Sequence, residues 1–134
     1  LIEGSGGRVI KTKTKKKAVL RLTEKGIANL ISEAAGDKKA EDIKILDLRK
    51  VTPLADFIVV CTGESAPQIK AIASHVDDKL RAKGIKSIRW EGKLNSNWMI
   101  LDLGRIVVHI MGQEERERYD LESLFVKKAI VYHL

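Results

Sequence analysis

Trp98-Met99-Ile100-Leu101-Asp102-Leu103-Gly104-Arg105-Ile106-Val107-Val108-His109-Ile110-Met111 is the stretch that decides the fold. Two runs rich in apolar and β-branched residues flank Gly104-Arg105, and a two-residue loop with glycine first suits a type II′ hairpin turn. That turn sets the register, pairing Asp102 with Val107, Leu101 with Val108, Ile100 with His109, Met99 with Ile110 and Trp98 with Met111. Side chains alternate across a strand. One face therefore carries Met99, Leu101, Leu103, Ile106, Val108 and Ile110, all apolar, and reads as a core face. The other carries Trp98, Ile100, Asp102, Val107, His109 and Met111. An aromatic, a thioether, an acid and an imidazole side by side fit a covered or partner-facing surface, not a freely solvated one.

Upstream of the hairpin the chain alternates helical and extended patterns. Thr23 suits the N-cap of a helix from Glu24 to about Ala35, with Ile27, Leu30, Ile31 and Ala34 as its apolar stripe and Gly36 as its stop. Ile43–Leu48 reads as a strand, Thr52–Asp56 as a turn, and Phe57–Thr62 as a strand buried on both faces. Ser65 suits the N-cap of a second helix that Gly84 ends, with Pro67 in its first turn and Ile69, Ile72, Ala73, Val76 and Leu80 at helical spacing. Ile85–Glu91 reads as a third strand. A charged helical segment follows Gly112, and residues 129–134 read as a short strand or a loose end. The order α-β-β-α-β-β-β-α predicts a mixed sheet with packed helices, an α/β (α+β) fold. The crossover from Phe57 to Glu91 favours a parallel pair.

The net charge of +7 over 134 residues is unevenly spread. In residues 1–22 Arg8, Lys11, Lys13, Lys15, Lys16, Lys17 and Arg21 face Glu3 alone, so all but one of the surplus charges sit there. The organisation expected is a flexible basic arm over 1–22, a folded domain over 23–126 and a tail over 127–134. The Gly4-Ser5-Gly6-Gly7 run reads as a linker or a tag remnant. Lys13, Lys15, Lys16 and Lys17 are the candidates for neutralising phosphates, although no aromatic interleaves with them to stack on bases. Cys61 is the only cysteine, which rules out an internal disulfide and fits a reducing compartment. No apolar stretch approaches a bilayer-spanning length.

Signals for catalysis are weak. Gly63-Glu64-Ser65 between a strand and a helix offers free N–H groups to a phosphate, but G-x-S alone is a weak signal and a tight turn with an N-cap is the favoured reading. A nucleotidyl-transfer site needs paired carboxylates to hold Mg²⁺, and the later strand offers Asp102 alone. His75, His109 and His133 have no Cys or second His at ligand spacing, so no metal or cofactor is expected. Ser65, His109 and Asp102 lack the surroundings of a nucleophile elbow.

Many short motifs in one order give a specific resemblance. Ile45-Leu46-Asp47-Leu48, Ala55-Asp56-Phe57-Ile58-Val59, Thr62-Gly63-Glu64-Ser65, Glu91-Gly92, Trp98, Leu101-Asp102-Leu103-Gly104, Val107-Val108-His109 and Glu114-Glu115-Arg116 with Tyr119, Leu121-Glu122 and Leu124 resemble the ribosomal silencing factor, or Iojap-like, family. The resemblance implies a nucleotidyltransferase-like fold without catalytic acids. It also implies a non-enzymatic repressor of translation that binds the large ribosomal subunit through its ribosomal protein fourteen and blocks subunit joining. By position it makes Trp98, Asp102, His109, Glu114 and Tyr119 the docking candidates, to which the hairpin register adds Met111. A cytoplasmic bacterial protein is the expected setting, with an organellar origin and self-association both open. The competing readings are a ribosome-assembly or RNA-binding factor using the basic arm, and a nucleotidyltransferase-like enzyme.

Overall fold

The computed structural model describes residues 7–11, 19–92, 96–125 and 130–133. Lys13, Lys15, Lys16 and Lys17 lie outside them. The elements are β1 (Gly7–Lys11), β2 (Val19–Thr23), α1 (Glu24–Asp37), β3 (Glu41–Asp47), β4 (Phe57–Thr62), α2 (Ala66–Ala82), β5 (Arg89–Glu91), β6 (Trp98–Asp102), β7 (Ile106–Met111), α3 (Gln113–Tyr119), α4 (Leu121–Phe125) and β8 (Ile130–His133). A six-stranded mixed sheet runs in the order β5-β6-β7-β4-β3-β8, and β1 and β2 pair separately. Backbone from the expected arm is thus ordered into an antiparallel ladder, with Val9 opposite Arg21. The apolar, partly β-branched pairs Val9-Ile10 and Val19-Leu20 are the signal that charge counting obscures.

The β6–β7 hairpin forms in the register the turn dictates, from Asp102↔Val107 to Trp98↔Met111. Gly104 sits at φ +94 and Arg105 is not among the positive-φ residues, as a type II′ turn requires. The Leu103 N–H closes the turn on the Ile106 carbonyl at 2.9 Å. The parallel partner of β4 is β7, not β5, with Phe57 opposite Ile106 and Thr62 opposite Met111. The hairpin inserts between the two strands that α2 connects, and β5 becomes an edge strand against β6. The third strand is shorter than Ile85–Glu91 because the end of α2 claims its first residues. Gly84, at φ +88, donates to the Arg81 carbonyl and Ile85 to that of Leu80, a Schellman motif that returns Ile85 to the core. α1 ends at Asp37, one residue beyond Gly36, and is closed by the same motif. Lys39 takes the left-handed position at φ 67, its N–H donates to Gly36, and that of Ala40 to Ala35.

Both long helices cover one face of the sheet. Ile27 and Ile31 from α1 and Ile69, Ile72, Val76 and Leu80 from α2 meet Phe57, Val59, Cys61, Leu101, Val108 and Ile110, all buried. Full burial of each such large side chain contributes about 1.5–3 kcal/mol. Burial pushes the Cys61 thiol up to about 12, so it is an unreactive packing residue. Among the described residues only the short α3 and α4 follow on the opposite face, and Ile58, Ile100 and Val107 are partly exposed there.

Candidate partner-docking face

Trp98, at the start of β6, and His109, in β7, point to the face that α1 and α2 leave open. The Trp98 Nε1–H donates to His109 Nδ1 at 3.0 Å, with ring centroids 5.9 Å apart. Accepting at Nδ1 requires the ring proton to sit on Nε2, so the imidazole is neutral. Burial pushes its pKa down to about 4. The Tyr119 ring also tilts against Trp98, at 4.7 Å between centroids. Tyr119 ends α3 and is 49% exposed. The indole is thus held by contacts with an imidazole and a phenol while remaining only half-buried. An aromatic held in one orientation at a surface forfeits little conformational entropy when a partner covers it.

Glu114 stands on α3, the helix that Tyr119 ends, its side chain 79% exposed, with Arg118 at 3.9 Å. Glu115 and Glu117 add to the acidic rim. Asp102 lies elsewhere. Four residues along β6 from Trp98, it is about 13 Å away at strand rise. Its carboxylate accepts the Gly104 N–H at 2.8 Å and pairs with Arg89 at 3.1 Å. It stabilises the turn and ties β5 to the hairpin. Met111 departs from the expectation of a docking residue, since it is completely buried. It sits between Trp98 and Thr62 in the strand register, and Arg116 bonds Thr62 from above, covering this row.

Arg116 is what sequence reasoning missed. It is 5% exposed and donates to Thr62 Oγ1 at 2.8 Å and to Glu122 at 3.0–3.2 Å. Asp42 stands 3.4 Å from it, and Lys44 bonds Glu122 at 3.3 Å. Burial pushes the Glu122 carboxyl up, but the bonds and charge of Arg116, aided by Lys44, outweigh it and hold it below its usual value. This network ties α3 and α4 to β3 and β4. A helix of seven residues is not stable alone, so Arg116 also fixes where Tyr119 meets Trp98. The run Glu114-Glu115-Arg116-Glu117-Arg118 reads as a solvated helix face, and no spacing singles out its middle residue as buried.

The other histidine among the described side chains, His75, lies 3.0 Å from Asp37 and has no third ligand-type neighbour. Ser65 caps α2 by accepting the Gln68 N–H. The Glu64 N–H is taken by the Gln68 side chain, so this junction is spent on its own turn. Among the described residues no group of His, Cys, Asp or Glu could hold a metal ion, and no helix is long and apolar enough to cross a membrane.

Comparison with known proteins matches residues 22–132 to the family described as "Ribosomal silencing factor during starvation". The chain is 36% identical over 104 residues to the ribosomal silencing factor RsfS of Bacillus subtilis, covering 78% of this chain and 88% of that protein. It is 35% identical over 95 residues to the chloroplastic protein Iojap of Arabidopsis thaliana, covering 71% of this chain and 40% of that one. A crystal structure from Chromobacterium violaceum superposes with a TM-score of 0.73 at 38% identity, over 76% of this chain and 85% of its own. One from Bacillus halodurans superposes with a TM-score of 0.69 at 33% identity, over 80% and 98%. The mixed sheet, the folded core and the order of motifs along it agree with these matches, and the chain belongs to the ribosomal silencing factor (RsfS) family.

Proposed function

We propose that this chain binds the large ribosomal subunit through the Trp98–His109–Tyr119 face, docks there on ribosomal protein fourteen, and represses translation by blocking the approach of the small subunit. The observation that carries this reading is the half-buried indole held by His109 and Tyr119 beside an acidic helix. An aromatic anchor with a charged rim is the anatomy of a protein-docking patch, and acidic residues on α3 complement a basic ribosomal protein. Met111 supports the face from beneath, and Asp102 holds the hairpin in shape. Occlusion needs no catalytic group, and the reading is of a protein that is not an enzyme. The chain acts where its ribosome is, in a bacterium or in an organelle such as the one that houses chloroplastic Iojap.

The test is co-sedimentation of the protein with purified large subunits, followed by addition of small subunits. Wild type is expected to travel with the large subunit and to reduce joining. Trp98→Ala, shown folded by circular dichroism, is expected to do neither. Wild-type protein that ignores large subunits refutes the reading. A folded Trp98→Ala variant that binds like wild type moves the interface off this face.

A further inference from the structure

The end of the sheet where β4 and β7 begin carries a surplus of exposed lysines. Three connections meet there: residues 48–56 between β3 and β4, residues 83–88 between α2 and β5, and the Gly104-Arg105 turn. Every acid at this end is matched. Asp47 pairs with Arg49 at 2.6 Å, Asp56 with Arg105 at 2.7 Å and Asp102 with Arg89 at 3.1 Å. Lys50, Lys83 and Lys86 are exposed and form no ion pair among the described residues. Two shallow, open hollows lie at this end, one lined by residues 86–89 and 102–104, where Asp102 is already paired with Arg89, the other by residues 49–53.

The N-terminal ribbon joins the body at this same end. β2 finishes at Thr23, the N-cap of α1, and the charges of Glu24 and Lys25 act on Arg105 and Asp47. The ribbon's sequence carries Arg8, Lys11 and Arg21, with Lys13, Lys15, Lys16 and Lys17 between its strands. Nearly all of it precedes residue 22, where the family match begins. The exposed loop lysines and the point where the ribbon joins the body therefore lie at one pole of the sheet, opposite the end from which α3 starts.

We infer that this pole is a second contact surface, fitted to the phosphate backbone of an RNA duplex, and that it strengthens docking on the large subunit. The inference rests on the proposed ribosomal function for its setting. Shallow hollows lined by cations suit a convex, charged backbone. The three connections contain no aromatic residue, so the surface does not stack unpaired bases; it reads charge and shape, as duplex RNA is read. Lysine–phosphate contacts release counterions, which makes the interaction steeply salt-dependent.

The test compares wild type with the triple variant Lys50→Gln/Lys83→Gln/Lys86→Gln in two salt titrations, on purified large subunits and on a protein-free RNA duplex of mixed sequence. All three positions are exposed, and thermal melting verifies that the variant folds. Wild type is expected to bind the duplex at low salt. The variant is expected to bind both targets about tenfold or more weakly, with the slope of log K against log salt shallower by about two to three. Unchanged affinity and slope on both targets overturns the inference. Weaker subunit binding with no binding of wild type to the duplex assigns the pole to an acidic protein and overturns the RNA assignment. Should wild type fail to bind subunits, the proposed function falls, and the duplex titration alone decides the pole.

Discussion

Lowering the pH tests the His109–Trp98 pair directly. The unfolded imidazole titrates near its ordinary value of 6.5, whereas in the folded protein burial pushes it down to about 4. Between those values the unfolded chain holds a proton that the folded chain excludes, so stability rises with pH across the window. The His109 contribution is fully present above pH 6.5, falls as the solution is acidified, and levels off below about pH 4. Taking the two pKa values at face value, the loss from about pH 7.5 to about pH 4.5 is about 2.5 kcal/mol at most. The chemistry is specific, because a protonated Nδ1 cannot accept the Trp98 indole N–H. The assay is urea unfolding at both pH values for wild type and His109→Gln, whose amide oxygen can accept the same hydrogen bond without titrating. Asp47 is held low by its bonds to Arg49, and Glu122 by Arg116 and Lys44 against the effect of burial. Both carboxyls therefore also lose stability in acid, but the two proteins share that loss and it cancels in the difference. Wild type is expected to lose about 2.5 kcal/mol more than His109→Gln over this range. Parallel pH profiles, or a histidine resonance of folded His109 titrating near 6.5, would refute the reasoning.

Arg116→Ala is expected to cost about 2–4 kcal/mol in urea unfolding, since it strips the buried Thr62 hydroxyl and Glu122 of their partner. It should also free α3 from the sheet, and a change in Trp98 emission in a Trp90→Phe background would report the lost Tyr119 contact. Lys39→Gly is expected to stabilise the protein by about 0.5–1 kcal/mol, because Lys39 is an exposed residue in a left-handed conformation that glycine adopts freely. An unchanged or lowered melting temperature for that variant would contradict the helix-end geometry.

What was legible in the sequence was local. Period-two alternation around Gly104 fixes both the β6–β7 register and the division into core and open faces, because a one-residue slip would expose Leu101 and Val108. Capping at Thr23 and Ser65 is legible for the same reason, since the side chain bonds an N–H only three residues away. What was not legible depends on partners distant in sequence. Nothing near Phe57 says that its parallel neighbour is β7, more than forty positions on, because the hairpin's insertion is settled only when the sheet assembles. Gly36 invites a helix stop and α1 ends one residue later at Asp37, but Lys39, not the glycine, takes the left-handed position from which Ala40 and Ile43 return to the core. Met111 shares its strand face with His109, and periodicity cannot foretell that Arg116 closes over one row and not the next. The site divides along the same line. Trp98 and His109 come together through the hairpin, whereas Tyr119 reaches them only through a buried ion network rooted in β3 and β4.

The unequal covering of the sheet argues for a partner on independent physical grounds. α1 and α2 span fourteen and seventeen residues and seal one face, whereas the other receives two helices of seven and five. Extending α3 by a few apolar residues would cover Ile58, Ile100 and Val107 and add burial at little cost. The chain instead turns at Asp120, in the left-handed conformation at φ 39, and α4 runs towards Lys44 through Glu122. The buried arginine is likewise an expensive way to attach a helix, since an apolar residue of similar volume often serves stability as well or better. Its bidentate, directional bonds fix the position of α3 where grease would let it slide. A buried charge that holds Tyr119 against Trp98, beside apolar rows left half-covered among the described residues, is the arrangement that the proposed docking at this face requires.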